Sequence, residues 1–501
     1  MKKKTVVFVF NSLGVVRGGL SNAVLKRANT LVKYNIDVII LTLSFQPEFV
    51  GVVNKLYERG NLDKKIKVLN FFNDILGEGG GKRKKEDVIN EKGFYVFKGG
   101  NPDINGYRYY KDGFYVKYKQ YDKSGNLMFV DYMNEARHRY QRDEYNKKGE
   151  MIRSRHMDQN NNLPRLDRYF NSDGECAITI WVDGKGNAKR VISFDKKNQG
   201  EYAQLEGLYN LWIKEILSGV SSPVVISDSR NTDSLVAGLK SDNIKKVAVL
   251  HNNHFKSPFD NTAEINKLWN PFFDNINEFD RIVFLTEEQK EDVERQYGPL
   301  KASTVIPHAV PHIEKSQLEK DVKRNPYLVV TLARYKKQKR LDEAIEAFSY
   351  VVEELPDAQY HIYGFGDLQE DLETLIQKLN LTNNVKLIGF TSDPIKTYRS
   401  AACSILTSDF EGFGLVLTES LAAGTPVISY DIKYGPKDIV RNEVDGYLVP
   451  KGNKKELAEK IITLMTNNQL REEFSNNALE VTERFSIDKY EEQWLDLIDK
   501  I

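Results

Sequence analysis

The sequence predicts an α/β protein of two doubly wound domains facing a cleft, with an antiparallel β-meander inserted into the first. Three observations carry this. At 501 residues the chain exceeds a single hydrophobic core and calls for roughly two to four domains of about 150 residues. Apolar, β-branched runs without polar alternation recur between helical patterns towards both ends, as in parallel strands buried on both faces. Between them, tyrosine-rich runs alternate polar and apolar residues, the mark of antiparallel strands with one wet face.

Taken in order, the first domain opens with a strand over Val6–Phe10, a loop over Asn11–Gly19, a helix over about Leu20–Tyr34 and a strand over Ile36–Leu43. Leu20, Val24, Ala28 and Leu31 recur at helical spacing. The opening MKKKTVVFVFNSLG superficially resembles a secretory signal. Its apolar run is only strand length, however, and no small-residue cleavage site follows. Residues 76–205 form the insert, with Gly106–Tyr121 (GYRYYKDGFYVKYKQY) its plainest alternating run. YDKSGN at Tyr121, YNKKGE at Tyr145 and FNSDGE at Phe170 form a weak repeat: an aromatic, then Asp or Asn, then Gly three positions later. Such triplets supply the positive φ that hairpin turns require. The insert carries net positive charge, which a solvated sheet face explains as well as a polyanionic partner does.

Strands VVISD (Val224–Asp228), KVAVLH (Lys246–His251) and RIVFLT (Arg281–Thr286) complete the first domain, which spans 1–75 and 206–311. A polar linker, His312–Asn325, leads to a second α/β series over 326–485: YLVVTLA, QYHIYG, NVKLIG, CSILTS and PVISYD. Leu341, Ala344, Ile345, Phe348 and Val352 mark the clearest helix there. Residues 486–501 are expected to form a helix packing back on the first domain.

Composition narrows the function. A net charge of +1 lacks the polycationic signature of a nucleic-acid binder. Two cysteines, Cys176 and Cys403, give no disulfide framework and fit a reducing compartment. No apolar run approaches the roughly 20 residues of a membrane-spanning helix. The expectation is a soluble cytoplasmic protein.

The first loop, Gly14-Val15-Val16-Arg17-Gly18-Gly19, ends at a helix N-terminus, where exposed amides favour an anion. Its glycine spacing is wrong for the dinucleotide fingerprint, and the second strand ends in Thr42-Leu43-Ser44 with no acid for a ribose. No P-loop pattern occurs either. In the second domain, strand YLVVTLA ends at Arg334 and Lys339 follows just before a helix. Two cations at the carboxyl edge of a parallel sheet can neutralise a diphosphate, though a solvated basic turn is the plain alternative. Past strand CSILTS, Glu411 stands beside Gly412-Phe413-Gly414, and Glu419 lies in the second turn of the helix that starts near Leu415. Helix capping accounts for Glu419 alone, but not for Glu411, the glycines and the cations together. Carboxylates that accept from vicinal hydroxyls, beside amides that approach phosphate, describe a nucleotide-sugar site.

This set (Glu411 and Glu419 around Gly-Phe-Gly, with Arg334, Lys339 and the Gly18-Gly19 loop) resembles retaining glycosyltransferases of family 4, which have the GT-B fold. The insert, with DIKYGPKDIV (Asp431–Val440) and DGYLVP (Asp445–Pro450), is similar to bacterial wall teichoic acid α-glycosyltransferases of the TarM type and to glycosyltransferases of serine-rich surface proteins. The resemblance implies that Arg334 and Lys339 hold the donor diphosphate, Glu419 the ribose, and Glu411 the hydroxyls of the transferred sugar, helped by amides of Gly412, Phe413, Gly414, Leu415 and Val416. It implies Phe390 and Thr391 beside the base, the Gly18-Gly19 loop over the sugar, and His251 facing it, with His254 as a nearby competitor. It further implies a homo-oligomer, a trimer among its forms, built through the insert, and a place at the inner face of the membrane.

No D-x-D triplet and no zinc spacing of His and Cys occur, so a metal-independent reaction with no cofactor is expected, the cations meeting the leaving-group charge. The family implies retention at the anomeric carbon. Three functions remain open: transfer of glucose or N-acetylglucosamine from a UDP-sugar to a polyanionic cell-wall polyol-phosphate polymer; transfer to Ser or Thr of a serine-rich surface protein; and a non-catalytic partner subunit. Intact Glu411, Glu419, Arg334 and Lys339 speak against the last.

Overall fold

The computed structural model describes residues 4–15, 19–77, 88–101, 103–300, 302–310, 313 and 322–501. The chain divides into two compact units, Met1–Ser227 with Asn231–Lys245, and Asp228–Arg230 with Lys246–Ile501. Among the described residues no helix is long and apolar enough to cross a membrane.

In the first unit, β1 (Thr5–Phe10), β2 (Asp37–Thr42) and β3 (Lys67–Asn70) are parallel and alternate with helices Gly19–Lys33, Phe49–Glu58 and Phe71–Leu76. All six residues of β1 are buried, as a strand covered on both faces requires. Ahead of the strand β14 (Pro223–Ser227), ten strands among the described residues between Tyr95 and Tyr202, β4 to β13, pair strictly with their sequence neighbours in one antiparallel sheet, which is the meander. Its three repeat triplets are the turns. Asp122 Oδ1 accepts from the amides of Ser124 and Asn126, and Asn146 and Asn171 accept in the same pattern. Gly125, Gly149 and Gly174 follow at φ of 84°, 75° and 81°, where a side chain would be strained. A fourth copy, Asp183 to Gly186, lacks the leading aromatic and so escaped the sequence pattern.

The second unit holds a set of three parallel strands and a separate six-stranded parallel sheet. β15 (Lys245–Val249), β16 (Arg281–Phe284) and β17 (Ser303–Val305) form one set, β17 being too short to carry a periodicity signal. The other is six-stranded: β18 (Asn325–Leu332), β19 (Gln359–Tyr363), β20 (Val385–Gly389), β21 (Ala401–Leu406), β22 (Val427–Asp431) and β23 (Gly446–Pro450), in the order β20-β19-β18-β21-β22-β23. The helix predicted from Leu341 runs Leu341–Glu354 and buries Leu341, Ala344, Ile345 and Phe348, while Val352 is only partly covered. Because the strand order reverses between β18 and β21, the connections leaving their carboxyl ends run in opposite directions across the sheet. That switch point is where such sheets bind ligands. Most of the predicted linker, together with Gly18, lies outside the described residues.

Candidate functional site

Arg334 and Lys339 follow β18, and Ser408 to Glu419 follow β21, so both predicted clusters flank the switch point. The loop after β18 is held by backbone contacts that only glycine permits. A Cβ on Gly364 would lie 1.9 Å from the Ala333 carbonyl oxygen, and one on Gly366 would lie 2.3 Å from that of Tyr335. The amide of Tyr335 donates to the Phe365 carbonyl, and its buried phenol donates to that of Ile362, at 3.0 Å each. Arg334, between these anchors, is exposed and makes no side-chain hydrogen bond or ion pair among the described residues. Sequence reasoning missed Gly364 and Gly366, although Gly364-Phe365-Gly366 copies the Gly-Phe-Gly it singled out at 412–414.

A 3-10 turn over Lys337–Lys339 leads into Arg340, whose φ of 45° starts the following helix. Lys339 Nζ lies 2.5 Å from Glu411 Oε1, and the Ser408 hydroxyl donates to that same oxygen at 2.6 Å. The side chains of Lys339 and Glu411 are only 14% and 12% exposed. The carboxylate is paired and hydrogen-bonded, as a desolvated charge must be. The family resemblance puts the two residues on separate parts of a ligand. The structure joins them through one oxygen and leaves Glu411 Oε2 without a partner among the described residues.

The glycines beside Glu411 also prove to be packing devices. A Cβ on Gly412 would sit 1.8 Å from the His251 carbonyl oxygen, and one on Gly435 would sit 1.7 Å from that of Phe413. Gly414, at φ 93°, caps the helix Leu415–Ala422. Phe413 is buried against His308 and Phe485. Leu415 and Val416 open the helix with amides that have no acceptor within it. Gly19 begins the helix Gly19–Lys33 of the first unit.

Glu419 projects from the second turn of Leu415–Ala422 with no ion pair or side-chain hydrogen bond among the described residues. Desolvation raises its carboxyl from 4.5 to about 7. The folded protein therefore holds this proton more tightly than the unfolded chain, so stability declines as pH rises from about 4.5 to 7 and levels off above. Asp438, raised by burial to about 6, adds a slope of the same sign. Thermal melts of Glu419→Gln should show a flatter decline over that window than the wild type. An unchanged slope would contradict the desolvated environment.

The two histidines separate cleanly. His254 is fully buried among Phe255, Trp269, Phe273 and Tyr434, and desolvation lowers its imidazole to about 4. It is a core residue. His251 places Nε2 2.7 Å from the buried Asp228 carboxylate and stacks on His308, with 9% of its side chain exposed. Its carbonyl faces Gly412, which brings His251 to the Glu411 loop. Phe390, just past β20, is 78% exposed, and the Thr391 hydroxyl lies 3.0 Å from that of Thr397.

Residues 313–481 match the family model of glycosyl transferases group 1, and residues 7–185 that of glycosyl transferase 1 domain A. The chain is 29% identical over 502 positions to a poly(glycerol-phosphate) alpha-glucosyltransferase of Bacillus subtilis (strain 168), covering 97% of this chain and 74% of that protein. It is 25% identical over 519 positions to a poly(ribitol-phosphate) alpha-N-acetylglucosaminyltransferase of Staphylococcus aureus (strain COL), covering 99% and 100%. A crystal structure of an S. aureus TarM mutant in complex with fondaparinux, alpha-GlcNAc-glycerol and UDP shares the fold. Its TM-score is 0.84 at 23% identity, over 99% of each chain.

Proposed function

The chain belongs to the glycosyl transferases of group 1, a GT-B protein with a β-meander insert, and from that premise we propose that it moves glucose or N-acetylglucosamine from a UDP-sugar to a hydroxyl of a polyol-phosphate polymer. The observation that carries this reading is similarity along almost the whole chain to two enzymes named for such polymers, insert included. The switch-point cluster supplies matching chemistry. Arg334 meets the diphosphate, and Lys339 is placed between it and Glu411. Glu411 Oε2 accepts from hydroxyls of the transferred sugar. Glu419 accepts from the ribose, and the exposed Phe390 ring lies against the base beside Thr391.

In the transfer, the bond between the anomeric carbon and the diphosphate oxygen breaks and its electron pair leaves with UDP. The acceptor hydroxyl bonds to that carbon on the same face, and its proton passes to the departing phosphate oxygen. Negative charge grows on the diphosphate, where Arg334, Lys339 and the amides of Leu415 and Val416 stabilise it. No metal is assigned a part, since the cations and the helix terminus serve that charge. Transfer to a serine-rich protein is the second reading; the net positive insert favours the polyanion.

The test offers UDP-glucose and UDP-N-acetylglucosamine to the purified protein with poly(glycerol phosphate), poly(ribitol phosphate) or a serine-rich peptide, each with and without EDTA. Glycosylated polymer, formed equally with EDTA, is expected. Product on the peptide alone would overturn the acceptor, and loss with EDTA restored by Mg²⁺ or Mn²⁺ would overturn the metal-free mechanism.

A further inference from the structure

Glu411 is held by its backbone as well as its carboxylate, and the residues that hold it lead elsewhere. Its amide donates to the Lys433 carbonyl at 3.1 Å, and its carbonyl accepts from the Tyr434 amide at 3.0 Å. The Lys433 carbonyl also accepts from Asn253 Nδ2 at 3.1 Å. Gly435 packs directly on the Phe413 carbonyl, so the segment 433–435 lies along the sugar-site loop for three residues. The side chains of that segment are gripped by the helix Glu287–Tyr297. Lys433 Nζ sits 2.5 Å from Asp292 Oδ2 and 3.0 Å from Glu288 Oε1, and the Tyr434 phenol donates to Asp292 Oδ2 at 2.9 Å. Asp292 is 2% exposed and takes its remaining oxygen to Arg295 at 2.9 Å.

We propose that Lys433, anchored on Glu288 and Asp292, is a positioning residue for Glu411: it fixes the strip of backbone against which the sugar-binding loop is registered. The inference rests on Glu411 acting on the transferred sugar, as read above. A lysine shared by two carboxylates, one of them buried, has a defined place that an apolar side chain of similar length cannot reproduce. Moving the strip shifts Glu411 Oε2 while leaving Arg334, on the loop after β18, and Glu419, in the helix Leu415–Ala422, where they are. Small displacements of that kind lower turnover far more than they lower binding of the part of the donor they do not touch.

The test compares wild type with Lys433→Met, Lys433→Arg and Asp292→Asn, measuring amide exchange of residues 411–413, UDP affinity by calorimetric titration, and kcat and KM for donor transfer. In Lys433→Met, exchange should rise and kcat should fall about tenfold or more, with UDP affinity within about twofold of wild type. Lys433→Arg should recover most of both. Asp292→Asn, which keeps the Glu288 contact, gives an intermediate loss and stands in should Lys433→Met not fold. Unchanged exchange at 411–413 overturns the inference whether or not transfer is detected. Faster exchange with undiminished kcat overturns it too. Faster exchange beside a wild type inert towards every donor leaves the positioning intact and overturns the functional reading instead.

Discussion

Glu411→Gln is expected to lower transfer about 10²-fold while leaving affinity for UDP itself unchanged or slightly improved. The amide keeps the shape and can still accept from the Ser408 hydroxyl, but it no longer carries the charge that sugar hydroxyls would meet at Oε2. UDP lacks that sugar, so its binding loses nothing directly. The ion pair sharpens the expectation. Removing the charge on Glu411 releases Lys339 from its 2.5 Å partner and frees a cation for phosphate. Stability should fall as well, by about 1–3 kcal/mol, because Lys339 is left largely desolvated. Calorimetric titration with UDP, beside a melting curve taken to keep the assay below the transition, separates these effects. If both acids merely supported their loops, Glu411→Gln and Glu419→Gln would lose stability and UDP affinity together. Under the roles assigned here only Glu419→Gln weakens UDP, by about 1.5–3 kcal/mol for a lost charged hydrogen bond.

What could be read from the sequence was whatever is local. β1 is legible because six successive apolar or β-branched residues have no alternation to hide. The meander turns are legible because an Asx acceptor and a positive-φ glycine stand three residues apart. Both cations and both acids stand out because each follows a strand or lies near a helix start at the switch point, and topology gathers such ends. What escaped was pairing at a distance. Lys339 and Glu411 are 72 positions apart, and Lys433 and Asp292 are 141 apart, so no spacing rule links them. The glycines are ambiguous for a related reason. Gly412 reads as a place of ligand approach, and the contact that excludes a side chain there is the His251 carbonyl. Glycine marks close approach, but sequence does not say of what.

The second large effect concerns Arg334 and Lys339, and the structure makes them unequal tests. Arg334→Ala removes a side chain that is exposed and bonds nothing among the described residues, so the melting temperature should not move. UDP affinity and turnover should nevertheless fall, turnover by about 10²-fold, because a charge-stabilising donor is lost where negative charge grows on the leaving group. Lys339→Ala removes the partner of a largely buried carboxylate, so it should lower stability as well as turnover. The two losses therefore differ in kind. Arg334→Ala is impaired yet fully stable, whereas Lys339→Ala is impaired and destabilised. Differential scanning fluorimetry and initial rates on both variants decide the matter. Normal turnover in Arg334→Ala would remove the diphosphate from this edge of the sheet, since no structural role remains to explain an exposed arginine there.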